Sequence, residues 1–192
     1  LVGIDTLVHV AANCYDNLAG DEERDVFKMP EWILKLVAAG NLGRKTGAGF
    51  YKKVGADIHV LDIGTGAYRA QNKVRYDSLG AARNTEDPRE RLKALVNADD
   101  RAGKFAWKVL SRSLCYTARR VGEIADDIVN IDRAMRDGFN WALGPFEAWD
   151  AIGVADSVAR MQKDGLKVPG WVTVMLESGR KSFYAGGAAA PD

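Results

Sequence analysis

Hydrophobic side chains recur every three or four residues along most of this chain, the spacing that places them on one face of an α-helix. The longest such segment runs from about residue 101 to residue 121, and shorter ones cover residues 4–18, 145–152 and 154–164. Residues 131–138 and 169–178 show the same spacing over shorter stretches. The pattern therefore predicts a protein that is almost entirely helical.

Prolines, glycines and polar residues mark the predicted helix ends. Pro30 suits a first helical turn because its missing N–H would have no partner there, and Gly40 is expected just after that helix. Asn130 is predicted to be the N-cap of a helix that ends at Gly138, and the last helix begins at Pro169.

The segment between the helical parts has a different pattern. Apolar and polar residues alternate over residues 58–63, Gly64-Thr65-Gly66 turns the chain, and Ala67-Tyr68-Arg69 returns. This predicts one small β-hairpin. Short helices are expected near Leu79 and from Pro88.

An internal repeat determines the predicted architecture. The order proline, tryptophan, glycine, basic pair and aromatic pair occurs twice. The spacing from proline to glycine is the same in both copies, and the part after the glycine is shorter in the second copy, which lacks the loop glycines. The first occurrence is Pro30, Trp32, Gly40, Arg44-Lys45 and Phe50-Tyr51, and the second is Pro169, Trp171, Gly179, Arg180-Lys181 and Phe183-Tyr184.

Four segments follow from this repeat. We predict that residues 1–53 are the back half of a first helical copy and that residues 54–100 are a connection containing the hairpin. Residues 101–185 are then a second, degenerate copy, and residues 186–192 a linker tail. The front half of the first copy is expected to precede Leu1, so we interpret the chain as a fragment of a longer protein.

Composition narrows the class of protein. The chain has 192 residues, of which 47% are hydrophobic, and a net charge of +1. This excludes extensive disorder and disfavours nucleic-acid binding. No apolar run approaches the length of a membrane span. Two cysteines far apart and two histidines disfavour a disulfide scaffold and a metal site, and they fit a cytoplasmic protein.

Two stretches resemble a known family. The run from Gly3 to Val10, with Leu42-Gly43-Arg44-Lys45-Thr46-Gly47-Ala48-Gly49-Phe50-Tyr51, is similar to the C-terminal domain of 3-hydroxyacyl-CoA dehydrogenases. The run from Ile131 to Gly153, which contains Gly144-Pro145-Phe146-Glu147, resembles the front half of the same domain. The tandem arrangement resembles multifunctional fatty-acid oxidation enzymes, including bacterial fusions with an enoyl-CoA hydratase region.

The resemblance implies a fold and a reaction. The fold is all-α: a duplicated helical domain like the C-terminal domain of 6-phosphogluconate dehydrogenase, with the small hairpin between the copies. The reaction is oxidation of a 3-hydroxyacyl-CoA by NAD, which in the family uses a histidine and a glutamate of an N-terminal Rossmann domain. That domain is the expected partner of this chain, and NAD would bind there.

This chain itself is predicted to hold no catalytic, cofactor-binding or metal-binding residue. Gly47-Ala48-Gly49 and Gly64-Thr65-Gly66 are interpreted as turns, because neither lies in a strand–helix nucleotide motif. Trp107 stands where the family has an asparagine near the substrate, so the second copy should be catalytically silent. His9 and His59 are interpreted as structural residues.

The glycine-flanked loop carries the only predicted substrate contacts. Lys45 and Thr46 are expected near the active cleft, since a cation suits a CoA phosphate and glycines let backbone approach a ligand. The alternative is a loop that only braces its own domain, which we favour for Arg44. The tryptophans could stack an adenine, but the equivalent positions of Trp32 and Trp171 favour core packing.

The sequence thus predicts the C-terminal helical region of an NAD-dependent 3-hydroxyacyl-CoA dehydrogenase of fatty-acid β-oxidation, which closes the substrate cleft and mediates assembly. A non-catalytic helical dimerisation module and a related hydroxy-acid dehydrogenase on the same fold are the alternatives. The fragment alone should be inactive and form a dimer or larger homo-oligomer. Its apolar face is expected to be exposed at Leu7, Ala11, Ile33, Leu36 and Val37.

Overall fold

The computed structural model describes residues 2–72 and 74–185. The chain divides into two compact units at the boundary between residues 73 and 74, called here the first unit and the second unit. This boundary lies inside the predicted connection over residues 54–100. The division into repeat segments stays a prediction, and the predicted tail at residues 186–192 lies outside the described residues.

The first unit combines two helices with a small sheet. Its elements are α1 (Ile4–Asn17), α2 (Glu31–Ala38), β1 (Tyr51–Val54), β2 (Asp57–Leu61) and β3 (Tyr68–Ala70), with 3-10 turns at Arg24–Phe27 and Arg44–Thr46. The mostly helical fold with a small hairpin is confirmed. The hairpin is β2 and β3, and β1 extends it into a three-stranded antiparallel sheet in the order β1-β2-β3.

Strand β1 was not predicted because its residues follow the glycine-rich loop and show no apolar alternation. A two-residue turn, Gly55-Ala56, connects it to β2, and Val54 pairs with Asp57 across that turn. Gly55 has a φ of 61°. A glycine in the first central position is what a tight hairpin of this length favours.

The core of the first unit forms where α1, α2 and β2 meet, around Ile4, Ile33, Leu36 and Leu61. This corrects one expectation of the sequence: Ile33, Leu36 and Ala11 are buried, with 7%, 6% and 4% of their surface exposed. Leu61, on β2, is one of the residues that pack against Ile33 and Leu36. Leu7 does remain exposed.

The second unit is entirely helical over its described residues. Its elements are α3 (Asp77–Asn84), α4 (Pro88–Asn97), α5 (Arg101–Arg120), α6 (Ile128–Phe139), α7 (Pro145–Ile152), α8 (Val154–Lys163) and α9 (Gly170–Glu177). Each helix predicted in this region is present. The core packs α5, α7, α8 and α9 around Phe146, Trp149 and Met161, which are fully buried.

The start of α6 differs from the prediction. Asp127 is the N-cap, and its carboxylate accepts a hydrogen bond from the Asn130 N–H at 2.8 Å. A carboxylate satisfies the unpaired N–H groups of the first turn, so the helix begins before Asn130. It ends at Phe139, one residue beyond Gly138, and its C-cap is Asn140, whose φ of 55° is left-handed.

The two repeated segments share local geometry. Trp32 lies 5.8 Å from Phe50 between ring centroids, with an interplanar angle of 56°. Trp171 lies 5.7 Å from Phe183 with an interplanar angle of 63°. Both pairs link the start of a helix to the aromatic pair that follows it.

Candidate functional site

The loop predicted to contact substrate is anchored to the first helix of its own unit. Lys45 lies in the 3-10 turn Arg44–Thr46, and its Nζ donates a hydrogen bond to Asp5 Oδ2 at 2.6 Å. The hydrogen bond from Lys45 holds the pKa of Asp5 below its usual value. The Lys45 side chain is still half-exposed. Its ammonium group therefore braces the loop and also faces solvent.

Thr46 closes the same loop. Its Oγ1 accepts a hydrogen bond from the Leu42 N–H at 2.9 Å and lies 3.2 Å from the Ala48 carbonyl oxygen. Gly49 packs so tightly that a Cβ there would lie 2.7 Å from Gly43 Cα. This glycine is thus required by the loop's own packing. Contact of Lys45 and Thr46 with substrate stays a prediction.

The other residues singled out in the sequence belong to other elements. Trp107 is in the core of the second unit, where its Nε1 donates to Asp164 Oδ2 at 2.7 Å and the Arg160 guanidinium lies 3.9 Å from its ring centroid. His9 is exposed on α1, and His59 pairs with Lys52 across β1 and β2.

Sequence reasoning did not identify a buried carboxylate at the centre of the second unit. Asp132, on α6, has no exposed surface. It accepts hydrogen bonds from the Phe146 N–H at 2.8 Å, the Glu147 N–H at 3.0 Å and the Tyr184 hydroxyl at 2.8 Å. The first two donors are N–H groups of the first turn of α7, which have no acceptor within the helix itself, and the helix dipole favours a negative charge there.

A second carboxylate closes the same helix end. Glu147 accepts a hydrogen bond from the Gly144 N–H at 2.7 Å and one from Arg136 at 3.1 Å. A Cβ at Gly144 would lie 2.3 Å from Asp132 Cβ, so only glycine fits there. The signal was present in the sequence: these residues belong to the motif that carries the family resemblance.

A third carboxylate fastens the C-terminal aromatic pair. Asp150, on α7, accepts hydrogen bonds from the Phe183 N–H at 2.8 Å and the Tyr184 N–H at 2.9 Å. Burial raises the pKa of Asp150. Shifted carboxylates can mark catalytic sites. The hydrogen-bond partners of Asp132 and Asp150 are main-chain N–H groups and the Tyr184 hydroxyl, which indicates a structural role.

A large cavity lies elsewhere in the second unit. It is an open groove of about 690 Å³ along α5, with α3 and the loop between α6 and α7 as its other walls. Phe105, Val109 and Trp141 line it and are 69%, 50% and 47% exposed. The sequence contained an indication of this groove, a second apolar stripe on α5 formed by Ala102, Phe105, Ala106 and Val109.

Two further findings concern the described residues alone. None of the helices formed by residues 2–72 and 74–185 is both long enough and apolar enough to cross a membrane. Within that same part of the chain, no three histidine, cysteine, aspartate or glutamate side chains are grouped as metal ligands.

Comparison with known proteins agrees with the motifs. Residues 1–53 match the family model described as 3-hydroxyacyl-CoA dehydrogenase, C-terminal domain. The match covers the segment that carries the first part of the resemblance. No solved structure matches the chain.

Individual relatives extend the likeness across both units. The chain is 45% identical over 184 residues, 96% of its length, to a probable 3-hydroxyacyl-CoA dehydrogenase of Bacillus subtilis. It is 26% identical over 155 residues, 77% of its length, to a putative fatty acid oxidation complex trifunctional enzyme of Rickettsia felis. The chain spans 23% and 20% of the length of these two relatives.

The buried Asp132 gives the second unit a pH-dependent stability. Burial raises the pKa of Asp132 to about 6, against the opposing hydrogen bonds from Phe146, Tyr184 and Glu147. Because the folded pKa lies above the unfolded one, the folded state holds a proton between about pH 4 and 6 that the unfolded state has released. This contribution to stability is present at low pH and lost as the pH rises through that window.

We expect the advantage of the wild-type chain over Asp132→Asn, which does not titrate, to shrink by about 2–3 kcal/mol between pH 4 and 7. Urea unfolding at several pH values measures it. Asp137→Asn, at an exposed position on the same helix, controls for loss of a surface carboxylate. A constant difference between wild type and Asp132→Asn across this range would contradict the prediction.

Proposed function

We propose that this chain is the C-terminal helical region of an NAD-dependent 3-hydroxyacyl-CoA dehydrogenase that acts in fatty-acid oxidation in the cytoplasm. Its role there is to close one side of the acyl-CoA cleft and to supply assembly surface. The observation that carries the proposal is the 45% identity over 184 residues to a probable 3-hydroxyacyl-CoA dehydrogenase, because that match spans both units.

The described residues do not fit a dinucleotide. Their sheet is antiparallel throughout, whereas a nicotinamide site of the Rossmann type needs parallel strands with a helix starting at the glycine turn. Gly47-Ala48-Gly49 leads into β1, and Gly64-Thr65-Gly66 forms the turn between β2 and β3. The proposal therefore assigns NAD, the hydride acceptor, to an N-terminal Rossmann domain of the longer protein.

The catalytic acid–base pair is assigned to that same domain. A general base must lie within hydrogen-bond reach of the proton it removes and be oriented by a partner. His9 is exposed on α1, and the shifted carboxylates Asp132 and Asp150 are committed to main-chain N–H groups. The chain's own contribution is positioning and binding.

Lys45 and Thr46 are the proposed substrate contacts. The Lys45 ammonium group has three donors, of which Asp5 takes one, and half of its side chain faces solvent. Thr46 is exposed beside it. A cation held in place by its own ion pair suits a phosphate or carboxylate group of an acyl-CoA.

One observation favours a second candidate, a non-catalytic helical assembly module. The open apolar groove along α5 is lined by aromatic and aliphatic side chains that solvent reaches, as protein interfaces commonly are. Activity of the complete protein separates the two candidates.

The isolated chain is expected to be inactive. With acetoacetyl-CoA as substrate, NADH oxidation by the purified 192-residue chain should equal the background rate, because no dinucleotide site is assigned to it. The complete protein from which the chain comes should oxidise NADH under the same conditions. Turnover by the isolated chain would contradict the assignment of NAD to another domain, and an inactive complete protein would favour the assembly module.

Removing both proposed substrate contacts should weaken acyl-CoA binding. In the complete protein, Lys45→Ala combined with Thr46→Ala is expected to raise KM for the acyl-CoA several-fold with little change in kcat, as loss of a contact equal in ground and transition states does. Steady-state kinetics and the melting temperature are measured together.

The matched control is the corresponding pair in the second repeat, Lys181→Ala with Ser182→Ala, for which KM should not change. An unchanged KM in the Lys45, Thr46 variant would refute the substrate contact. A lowered melting temperature with unchanged KM would assign the loop a bracing role alone.

A further inference from the structure

The groove along α5 is an interaction surface that the dehydrogenase proposal leaves unused. Helix α5 has two apolar faces. One carries Trp107, Leu114 and Ala118 into the core, with 6%, 1% and 1% of their surface exposed. The other carries Phe105 and Val109 into the groove, where they stay exposed. Exposed apolar patches of this kind mark binding sites.

The shape of the groove fits a helix better than a membrane or a flat surface. Small side chains at Ala102 and Ala106 line it together with larger ones at Phe105, Leu79 and Trp141. The aromatic residues therefore line a concavity between helices. A groove of this form accepts an amphipathic helix whose apolar residues recur every three or four positions.

The basic charge of α5 indicates which charge the partner helix should carry along its flank. Its 20 residues contain six basic side chains and no acidic one. Arg101, Lys108 and Arg112 share one side of α5 by their spacing of seven and four residues. They form a row beside Phe105 and Val109, and Arg101 itself lines the groove. No ion pair to these three basic residues occurs within residues 2–72 and 74–185.

We propose that this groove binds an amphipathic α-helix with acidic residues along one flank. The apolar face of the partner helix covers Phe105, Val109 and Trp141, and its carboxylates face the basic row of Arg101, Lys108 and Arg112. A second copy of α5 fits less well, because its own basic row would meet this one. The inference does not depend on the dehydrogenase proposal.

The probe is a fluorescently labelled synthetic helix of about 18 residues, about 27 Å long. It has leucines on one face at spacings of three and four and glutamates along one flank. A matched peptide has lysines in place of the glutamates. Fluorescence anisotropy with the 192-residue chain measures both. The glutamate peptide is expected to bind at least tenfold more tightly, with an affinity that falls as salt is added.

Variants of exposed groove residues locate the contact. Phe105→Ala and Val109→Ala are expected to weaken binding of the glutamate peptide about tenfold or more, as central interface residues do. Val174→Ala is the matched control, since Val174 is an exposed valine on another helix of the same unit. It should leave the affinity within about twofold of wild type.

Charge reversal tests the basic row. Lys108→Glu with Arg112→Glu should reverse the preference, so that the lysine peptide becomes the tighter ligand. Lys163→Glu, at an exposed position on α8, is the control. Equal binding of the two peptides by the wild-type chain, or affinity that is insensitive to Phe105→Ala, would overturn the proposal.

Other occupants of the groove give distinct results, each of which contradicts the proposal. Sedimentation showing a dimer that Phe105→Ala dissociates would assign the groove to a second copy. Binding to phosphatidylcholine–phosphatidylglycerol vesicles that Phe105→Ala abolishes, without peptide binding, would assign it to a membrane. Saturable binding of palmitate with the same sensitivity, again without peptide binding, would assign it to an acyl chain.

Discussion

Buried main-chain N–H groups that need acceptors impose the strongest constraint on the second unit. The start of α7 and the segment at Phe183 and Tyr184 are both taken out of water, and each would leave unpaired donors at a cost of about 1–3 kcal/mol per group. Asp132 accepts the hydrogen bonds at the start of α7, and Asp150 accepts those of the aromatic pair. The Tyr184 hydroxyl joins the two sites by donating to Asp132.

The matching aromatic pair of the first unit, Phe50 and Tyr51, has a different environment. Trp32 and Phe50 pack as Trp171 and Phe183 do, but the following residue continues into a strand. The Phe50 carbonyl accepts a hydrogen bond from the Leu61 N–H at 2.9 Å, and Tyr51 pairs with Val60. Tyr51 is 57% exposed, whereas Tyr184 is 7% exposed. The same sequence pattern therefore leads into an exposed strand in the first unit and ends in a buried aromatic pair in the second.

Periodicity was sufficient to predict the helices and the position of the hairpin, because each has a core face of regular spacing. It missed β1, whose residues are all exposed and whose pairing depends on the turn at Gly55. It also misjudged Ile33 and Leu36, because their cover comes from Leu61, a strand residue distant in sequence. Local patterns do not report contacts of this kind.

For the candidate sites too, the sequence showed some features, and others required the structure. The loop at Lys45 and Thr46 was noticeable from its glycines and charges, but its hydrogen bonds to Asp5 and Leu42 required three-dimensional structure. Asp132 was part of a quoted motif, yet nothing in its spacing showed that it would be buried with Tyr184. Motifs identified the family, and the roles of individual polar residues depended on long-range packing.

Comparison of the two equivalent tyrosines tests most directly whether the buried carboxylates hold the second unit together. Differential scanning calorimetry of the 192-residue chain is carried out on Tyr184→Phe and Tyr51→Phe. Tyr184→Phe should lower the free energy of unfolding by about 1–3 kcal/mol, because it removes a buried hydrogen bond to the Asp132 carboxylate, whose Oδ2 then keeps only the Glu147 N–H as donor. Tyr51→Phe should change it by less than about 0.5 kcal/mol. Equal effects of the two substitutions, or no effect of Tyr184→Phe, would contradict the account.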